Sequence, residues 1–255
     1  LSFYRAIPKV ELHRHLEGSL RLDTLLDIAR QHELTLPDKV FHSLVQMQQD
    51  DPQTYTNFLS KFQTLRMFYR SPEVIARITR EAVIDAAIET KSPVIVQTSV
   101  KPSQFLGTNM MVAIYRTLAE KAPVPVVLHL DHCTEIDYCK KCADAGYTNI
   151  MIDASKQAYE ENIRQTKEVV DYCHSIGGIS VEGELGTVSG VEDQVKVAED
   201  EAQLANPEQS VEFLQRTAVD MFAPAIGTAH GGYKTKTPKI DTERMATIHK
   251  MLNGN

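Results

Sequence analysis

His13 and His15 stand two residues apart in "VELHRHLEGSL" (10–20), at the end of a short apolar run. If Lys9 to Leu12 form a strand, its period of two sends both imidazoles to one side of the sheet, close enough to hold one metal ion. Two histidines at a strand end are also ordinary surface residues, and spacing alone leaves both readings open. Asp131 and His132 directly follow the apolar run "VVLHL", and His230 follows "FAPAI" by a few residues. Those positions, just past strand C-termini, are where a βα barrel gathers its chemistry, although Asp131 and His132 also read as a helix-capping pair after a strand. Glu192 lies in "VEDQVKVAEDEAQ", an acidic stretch equally at home on a solvated face, and Lys234 stands among other lysines. Cys139 and Cys142 form a C-x-x-C. The segment "TEIDYCKKCADAG" nevertheless reads as a helix from a Thr134 cap, with Asp137 at the capping-box position, to Gly146. At i and i+3 these thiols share a helix face, which favours buried packing over a redox or metal role. His129, His174 and His249 read as packing or solvent residues.

The elements that must position these side chains are short apolar runs of strand type: "KVEL" at 9–12, "VIVQ" at 94–97, "VVLH" at 126–129, "NIMID" at 149–153, "ISVEGEL" at 179–185 and "FAPAI" at 222–226. From the second onward a helical pattern follows each run. Ser71-Pro72-Glu73 starts a helix running to about Thr90, Asn206-Pro207-Glu208 one running to about Thr217, and Asp241 one running to about Leu252. Repeated βα units make a parallel sheet, and no Gly-rich dinucleotide fingerprint follows any strand. The expected fold class is therefore α/β, of the (β/α) TIM-barrel type. It is incomplete, because six strands are counted where a closed barrel takes about eight. Open sheet edges predict association with a second copy, a homo-oligomer and most simply a dimer.

The totals limit the partners. A chain of 255 residues with 42% hydrophobic residues can bury a sizeable core as one combined barrel-type domain. A formal charge of -7 without a basic run argues against nucleic acid or a membrane surface and for a small molecule. No apolar run approaches the roughly 20 residues of a membrane span. The cysteines Cys133, Cys139, Cys142 and Cys173 are expected to be reduced thiols of a cytoplasmic protein. The sequence begins at Leu1 without a methionine, so a trimmed or partial chain is expected.

Residues 1 to about 88 resemble the N-terminal part of the adenosine deaminase family, through "PKVELHRHLEGSL" and "SPEVIARITREAVIDAA". That resemblance implies that His13 and His15 are zinc ligands and that Gly18 lies in a substrate-contacting turn. The family's later zinc histidine, its H-A-G-E segment and its late aspartate pair have no match.

Residues from about 89 to 255 resemble the class II, zinc-dependent fructose-bisphosphate aldolases, through "PVIVQTS", "PVVLHLDHC", "MIDAS", "VEGELGTVSGVEDQ" and "IGTAHGGYK" in order. The resemblance implies a lyase that reversibly cleaves a ketose bisphosphate into dihydroxyacetone phosphate and an aldehyde phosphate. It implies Asp131 as the proton shuttle to the substrate hydroxyl and Glu192, in the loop after "GELGTVSG", as the mobile-loop base that takes the α-proton. His132 and His230 match zinc ligands, Asp153 and Glu184 match positions that hold or approach a second or monovalent metal ion, and Gly231 and Lys234 lie near a substrate phosphate. The family's third zinc histidine and a later N-x-D strand have no match. The chain thus reads as a chimera of two barrel families joined near "AAIETKSPVIV", in which His13 and His15 are expected to complete a zinc site with His132 and His230. Two other outcomes stay open: a deaminase-like metal-dependent hydrolase, and an inactive chimeric scaffold.

Overall fold

The structure, a computed structural model, describes residues 18–34, 41–52, 54–192, 195–198, 202–230 and 237–253. In chain order its elements are α1 (Leu22–Gln31), α2 (Phe41–Val45), α3 (Tyr55–Arg66), α4 (Pro72–Thr79), a π-helical segment (Arg80–Ile84), α5 (Asp85–Thr90), β1 (Val94–Ser99), α6 (Val100–Leu106) and α7 (Thr108–Ala119). There follow β2 (Val126–Cys133), α8 (Ile136–Ala145), β3 (Asn149–Ile152), α9 (Tyr159–Ile176), β4 (Ser180–Leu185), β5 (Ser189–Glu192) and β6 (Val195–Val197). The chain closes with α10 (Pro207–Thr217), β7 (Met221–Pro224), β8 (Ala229–His230) and α11 (Thr242–Asn253). It divides into two compact units, residues 1–98 with 109–128, and 99–108 with 129–255.

The first unit is mainly helical. Leu25, Ile28, Phe41, Phe68, Ile75 and Ile78 are fully buried in it, and the Phe41 and Phe68 rings sit 5.8 Å apart. Ser71 caps α4 by accepting from the Val74 N–H at 3.3 Å, with Pro72 in the first turn where its missing N–H costs nothing. The single helix expected from Ser71 to Thr90 is interrupted by the π-helical segment. There the carboxylate of Glu81 accepts from Thr24 of α1 and, at 2.8 Å, from Arg77 of α4. Arg77 also binds Asp27 at 3.0 Å, so one charge cluster ties α1 to α4. Within this unit β1 adjoins the start of β2.

In the second unit β2, β3, β4 and β7 pair in parallel, within a sheet of order β1-β2-β3-β4-β7. Alternation sorts the side chains. Leu130, Ile150, Ile152, Val181 and Leu185 face the covering helices, where Leu185 packs with Ile163, Ala205 and Phe213. Gly183 sits on that face because an added Cβ would lie 3.1 Å from both the Phe213 ring and the Thr166 methyl. The other face carries His129, Asp131, Asn149, Asp153, Glu182 and Glu184, all but Glu182 buried. The α/β fold class and the incomplete barrel are borne out: five of the six expected strands form the sheet, and the sixth, 9–12, lies outside the described residues.

Two local expectations are corrected. Thr134 does not cap α8. Strand β2 runs on to Cys133, so the chain has not yet turned at Thr134, and Glu135 takes the cap position without a side-chain bond. Glu192 does not stand in a loop: it closes β5, whose backbone pairs with β6 and β8 in a small second sheet. Asn206 does cap α10, accepting from Gln209 N–H at 2.9 Å, and Asp241 accepts from Arg244 N–H at 2.9 Å ahead of α11. All four cysteines are free and buried, and burial pushes the Cys142 thiol up to about 12, far from a reactive thiolate. Among the described residues no helix is long and apolar enough to cross a membrane.

Candidate metal and catalytic site

The site begins with a slip in register. His129 pairs with Asn149 and Leu130 with Ile150, but the next pair is Cys133 with Ile152. Two residues, Asp131 and His132, therefore oppose Met151 alone, which is a β-bulge. His132 takes a left-handed backbone (φ 45), uncommon for any residue with a Cβ, and the bulge turns its ring toward the ends of β3 and β4. The β3–β4 register pairs Ile152 with Gly183, so the next residues along, Asp153 and Glu184, come level with each other.

The result is a buried cluster. His132 Nδ1 lies 2.9 Å from Asp153 Oδ2 and 3.7 Å from Glu184 Oε2. Asp153 is itself held, its Oδ1 accepting from the Ser155 N–H at 3.1 Å and from the Ser155 hydroxyl at 2.6 Å. The His230 ring stands edge-on to the His132 ring, 4.9 Å between centroids. β8 delivers it: Gly190 of β5 pairs with His230 at φ 120, and a Cβ on Gly190 would fall 2.2 Å from the His230 carbonyl oxygen. Only glycine allows that approach.

The electrostatics follow from the burial of this much negative charge. For His132, burial disfavours the charged ring, but the Asp153 hydrogen bond and the charges of Asp131 and Glu184 outweigh it, raising its pKa to about 10. Glu184 is raised to about 8, by burial first and then by the neighbouring Asp153 charge. Asp153 moves the other way, its burial outweighed by the bonds from His132 and Ser155. The pocket favours a cation, and in the metal-free chain the imidazolium supplies one.

One donor atom each from His132, Asp153 and Glu184 lie within 4.8 Å of one another, a grouping sized for one metal ion. Nitrogen and oxygen donors of this kind suit zinc or a similar divalent ion. A metal held by all three would meet His132 at Nδ1 in place of the Asp153 bond, whereas one bound at Nε2 would keep Asp153 as the carboxylate that orients the ring.

The sequence-predicted residues divide accordingly. His132, Asp153, Glu184 and His230 are brought together, and Asp131 is buried beside His132, whose charge it stabilises. Glu192 ends β5, two residues beyond the glycine that pairs with His230, and its backbone pairs with Val195. His13, His15, Gly231 and Lys234 lie outside the described residues, and with them the composite four-histidine site. Residue-by-residue reading passed over His129, assigned to packing or solvent. It is fully buried among polar groups, 3.7 Å from Asp131 and 3.8 Å from Glu182. The available signal was its i, i+2 spacing from Asp131, which puts both on one strand face.

A parallel βα sheet with a histidine–carboxylate cluster past its strand ends is the build of a barrel-type metal-dependent enzyme. The chain belongs to the family described as "Fructose-bisphosphate aldolase class-II", which matches residues 53–254. The match starts well upstream of the junction expected near residue 88. The chain is 43% identical to a fructose-bisphosphate aldolase of Helicobacter pylori (strain ATCC 700392 / 26695) over 174 residues, 68% of this chain and 56% of that protein. It thus spans about half the length of the curated relatives it matches. Among solved structures, the YdjI aldolase from Escherichia coli K12 matches with a TM-score of 0.55 at 36% identity, over 65% of this chain and 56% of that one. The arabidopsis ADAL structure complexed with GMP covers 97% of this chain and 71% of its own at a TM-score of 0.55, but at 18% identity this likeness concerns the fold alone.

Proposed function

We propose that the chain acts as a class II aldolase-like lyase that reversibly cleaves a ketose bisphosphate into dihydroxyacetone phosphate and an aldehyde phosphate. The observation that carries this reading is the bulge that buries Asp131 and His132 side by side at the strand end, with Asp153, Glu184 and His230 around the imidazole. His132 and His230 are the imidazole donors for zinc, and Asp153 and Glu184 hold His132 and the second cation position. Bound there, zinc would polarise the substrate carbonyl and stabilise negative charge developing on its oxygen.

The chain's own residues supply the proton transfers. Asp131 takes the proton of the substrate hydroxyl as the carbon–carbon bond breaks, and returns one in the synthetic direction. Glu192 exchanges the proton at the α-carbon of the ketone product. Its place in β5, beyond the residue paired with His230, supports this role by tying the base to the strand that carries a ligand. Gly231, next after His230, and Lys234, four residues after it, are assigned to the substrate phosphate. The substrate is a small sugar phosphate, the location cytoplasmic, and the working form a homo-oligomer in which open sheet edges are covered.

The test is zinc per chain measured by elemental mass spectrometry across a size-exclusion peak, followed by release of triose phosphate from fructose 1,6-bisphosphate. About one zinc per chain with cleavage that His132→Ala abolishes supports the reading. A well-folded chain with no zinc and no cleavage refutes it. The motif at 8–20 carries a second reading, that residues 1 to about 88 form an adenosine deaminase-like segment, with His13 and His15 contributing to the metal. Inosine formation from adenosine, or zinc loss on replacing both histidines with alanine, supports it, and neither effect removes it.

A further inference from the structure

On the polar face of the second unit's sheet, one step along the strands from the metal cluster, His129 occupies an anchored position. Its Nδ1 is hydrogen-bonded to the side-chain oxygen of Asn149. The orientation of that amide is set from the other side, where Asn149 Nδ2 donates to Ser180 Oγ at 2.7 Å and reaches Met221 Sδ at 3.0 Å. An amide oxygen only accepts, so Nδ1 carries the hydrogen and the ring has one orientation. Nε2 then faces Asp131 Oδ1 at 3.7 Å and Glu182 Oε2 at 3.8 Å. His129, Asp131 and Asn149 are each 1% exposed.

A histidine present only to fill space needs no such chain behind it. The interior of a βα barrel is ordinarily packed with branched apolar side chains, whereas here three neighbouring strands spend Asn149, Ser180 and Met221, the first of them fully buried, on fixing one ring. That ring points at a residue of the bulge. Asp131 sits in the bulge, where the ladder is broken between Leu130 and Cys133, so the regular pairing does not by itself fix its carboxylate.

We propose that His129 is a positioning residue for Asp131. Held through Asn149 on Ser180 and Met221, the imidazole presents its Nε2 lone pair to Asp131 and accepts from that carboxyl once it has taken the substrate proton, which holds it in the conformation of the transfer. The role rests on the aldolase reading of Asp131, and its contacts can be examined without that reading.

The two proton transfers allow a selective test. Cleavage of fructose 1,6-bisphosphate needs Asp131, whereas exchange of the α-proton of dihydroxyacetone phosphate with deuterated water needs Glu192 and not Asp131. His129→Leu is expected to lower kcat for cleavage by about tenfold or more while KM and the exchange rate stay within about twofold. His129→Gln, which retains a polar group, is expected to recover part of the loss. Equal losses in cleavage and exchange, or no loss in either, overturn the proposal. If the wild-type chain catalyses neither reaction the aldolase reading fails by itself, and side-chain 15N NMR of the histidines then decides the contact. His129 is expected in the Nδ1–H form with an Nε2 resonance that moves in Asp131→Asn. An Nε2 resonance unmoved by that change overturns the link.

Discussion

At the scale of single residues, the site depends on how few alternatives each side chain has. Ser155 occupies one oxygen of Asp153 through both its N–H and its hydroxyl, so the other oxygen is left to His132. Asp153→Ala is therefore expected to lower zinc affinity by about 10- to 100-fold in chelator competition, the usual cost of releasing a ligating histidine from its carboxylate. Unchanged affinity would show that the ring is held elsewhere. A second residue-scale case lies in the first unit. Burial pushes Glu81 up, but the bonds from Thr24 and Arg77 outweigh it, so its folded pKa lies below the usual 4.5. A depressed carboxylate stabilises the fold above its unfolded pKa, and that stabilisation is lost as pH falls through the folded one. Glu81→Gln should cost about 1–2 kcal/mol in urea unfolding at pH 7, and the gap from wild type should narrow steadily below 4.5. A gap unchanged in acid would mean that the ionised bonds contribute nothing. Residue types alone identified most of the cluster, because histidines and acids past apolar runs are few. They did not identify His129, since what distinguishes it is the amide of Asn149, twenty residues away in sequence and visible only once β2 and β3 are in register.

At the scale of elements, the sheet was legible and its irregularities were not. Runs such as "NIMI" announce a buried parallel strand by being apolar throughout, and the Asn206-Pro207 start of α10 announces itself by cap chemistry. The bulge at Asp131–His132 leaves no composition signal, because it is a property of pairing between two strands. The β5–β6–β8 sheet was equally hidden: "SGVE" and "AH" are too short and polar to show a strand period. Yet that sheet delivers His230, and the hinge of its geometry is Gly190. Gly190→Ala would place a Cβ 2.2 Å from the His230 carbonyl oxygen and must separate the strands there. The expected result is a loss of zinc affinity comparable to that of His230→Ala with little change in thermal stability, because the buried core that holds the helices to the main sheet does not include Gly190. Zinc binding as tight as in the wild type would place the delivery of His230 elsewhere. Phe213→Ala is the opposite case. It removes a fully buried ring from the core beside Leu185 and Ile163, and should cost about 3–5 kcal/mol in denaturant unfolding.

At the scale of the whole molecule, charge and stability are distributed unequally between the two compact units. The first unit draws its cohesion from apolar helix packing and the Glu81–Arg77–Asp27 cluster, and among the described residues it contributes no ligand to the metal grouping. The second buries Asp131, Asp153 and Glu184 around one histidine, an arrangement that gains most from a bound cation. A ligand that binds only the native state stabilises it by mass action, about 2.7 kcal/mol at a hundredfold excess over Kd, and the gain is confined to what must open to release it. Zinc is therefore expected to slow hydrogen exchange in β2, β3, β4 and β8, whose ends hold the ligands, while exchange in α1 and α4 keeps its metal-free rate. Chelator should reverse the slowing, and His132→Ala should abolish it. Equal protection of both units would mean that they unfold as one and that the metal stabilises the chain globally. Protection confined to the first unit would place the metal away from His132 and remove the foundation of the proposed chemistry.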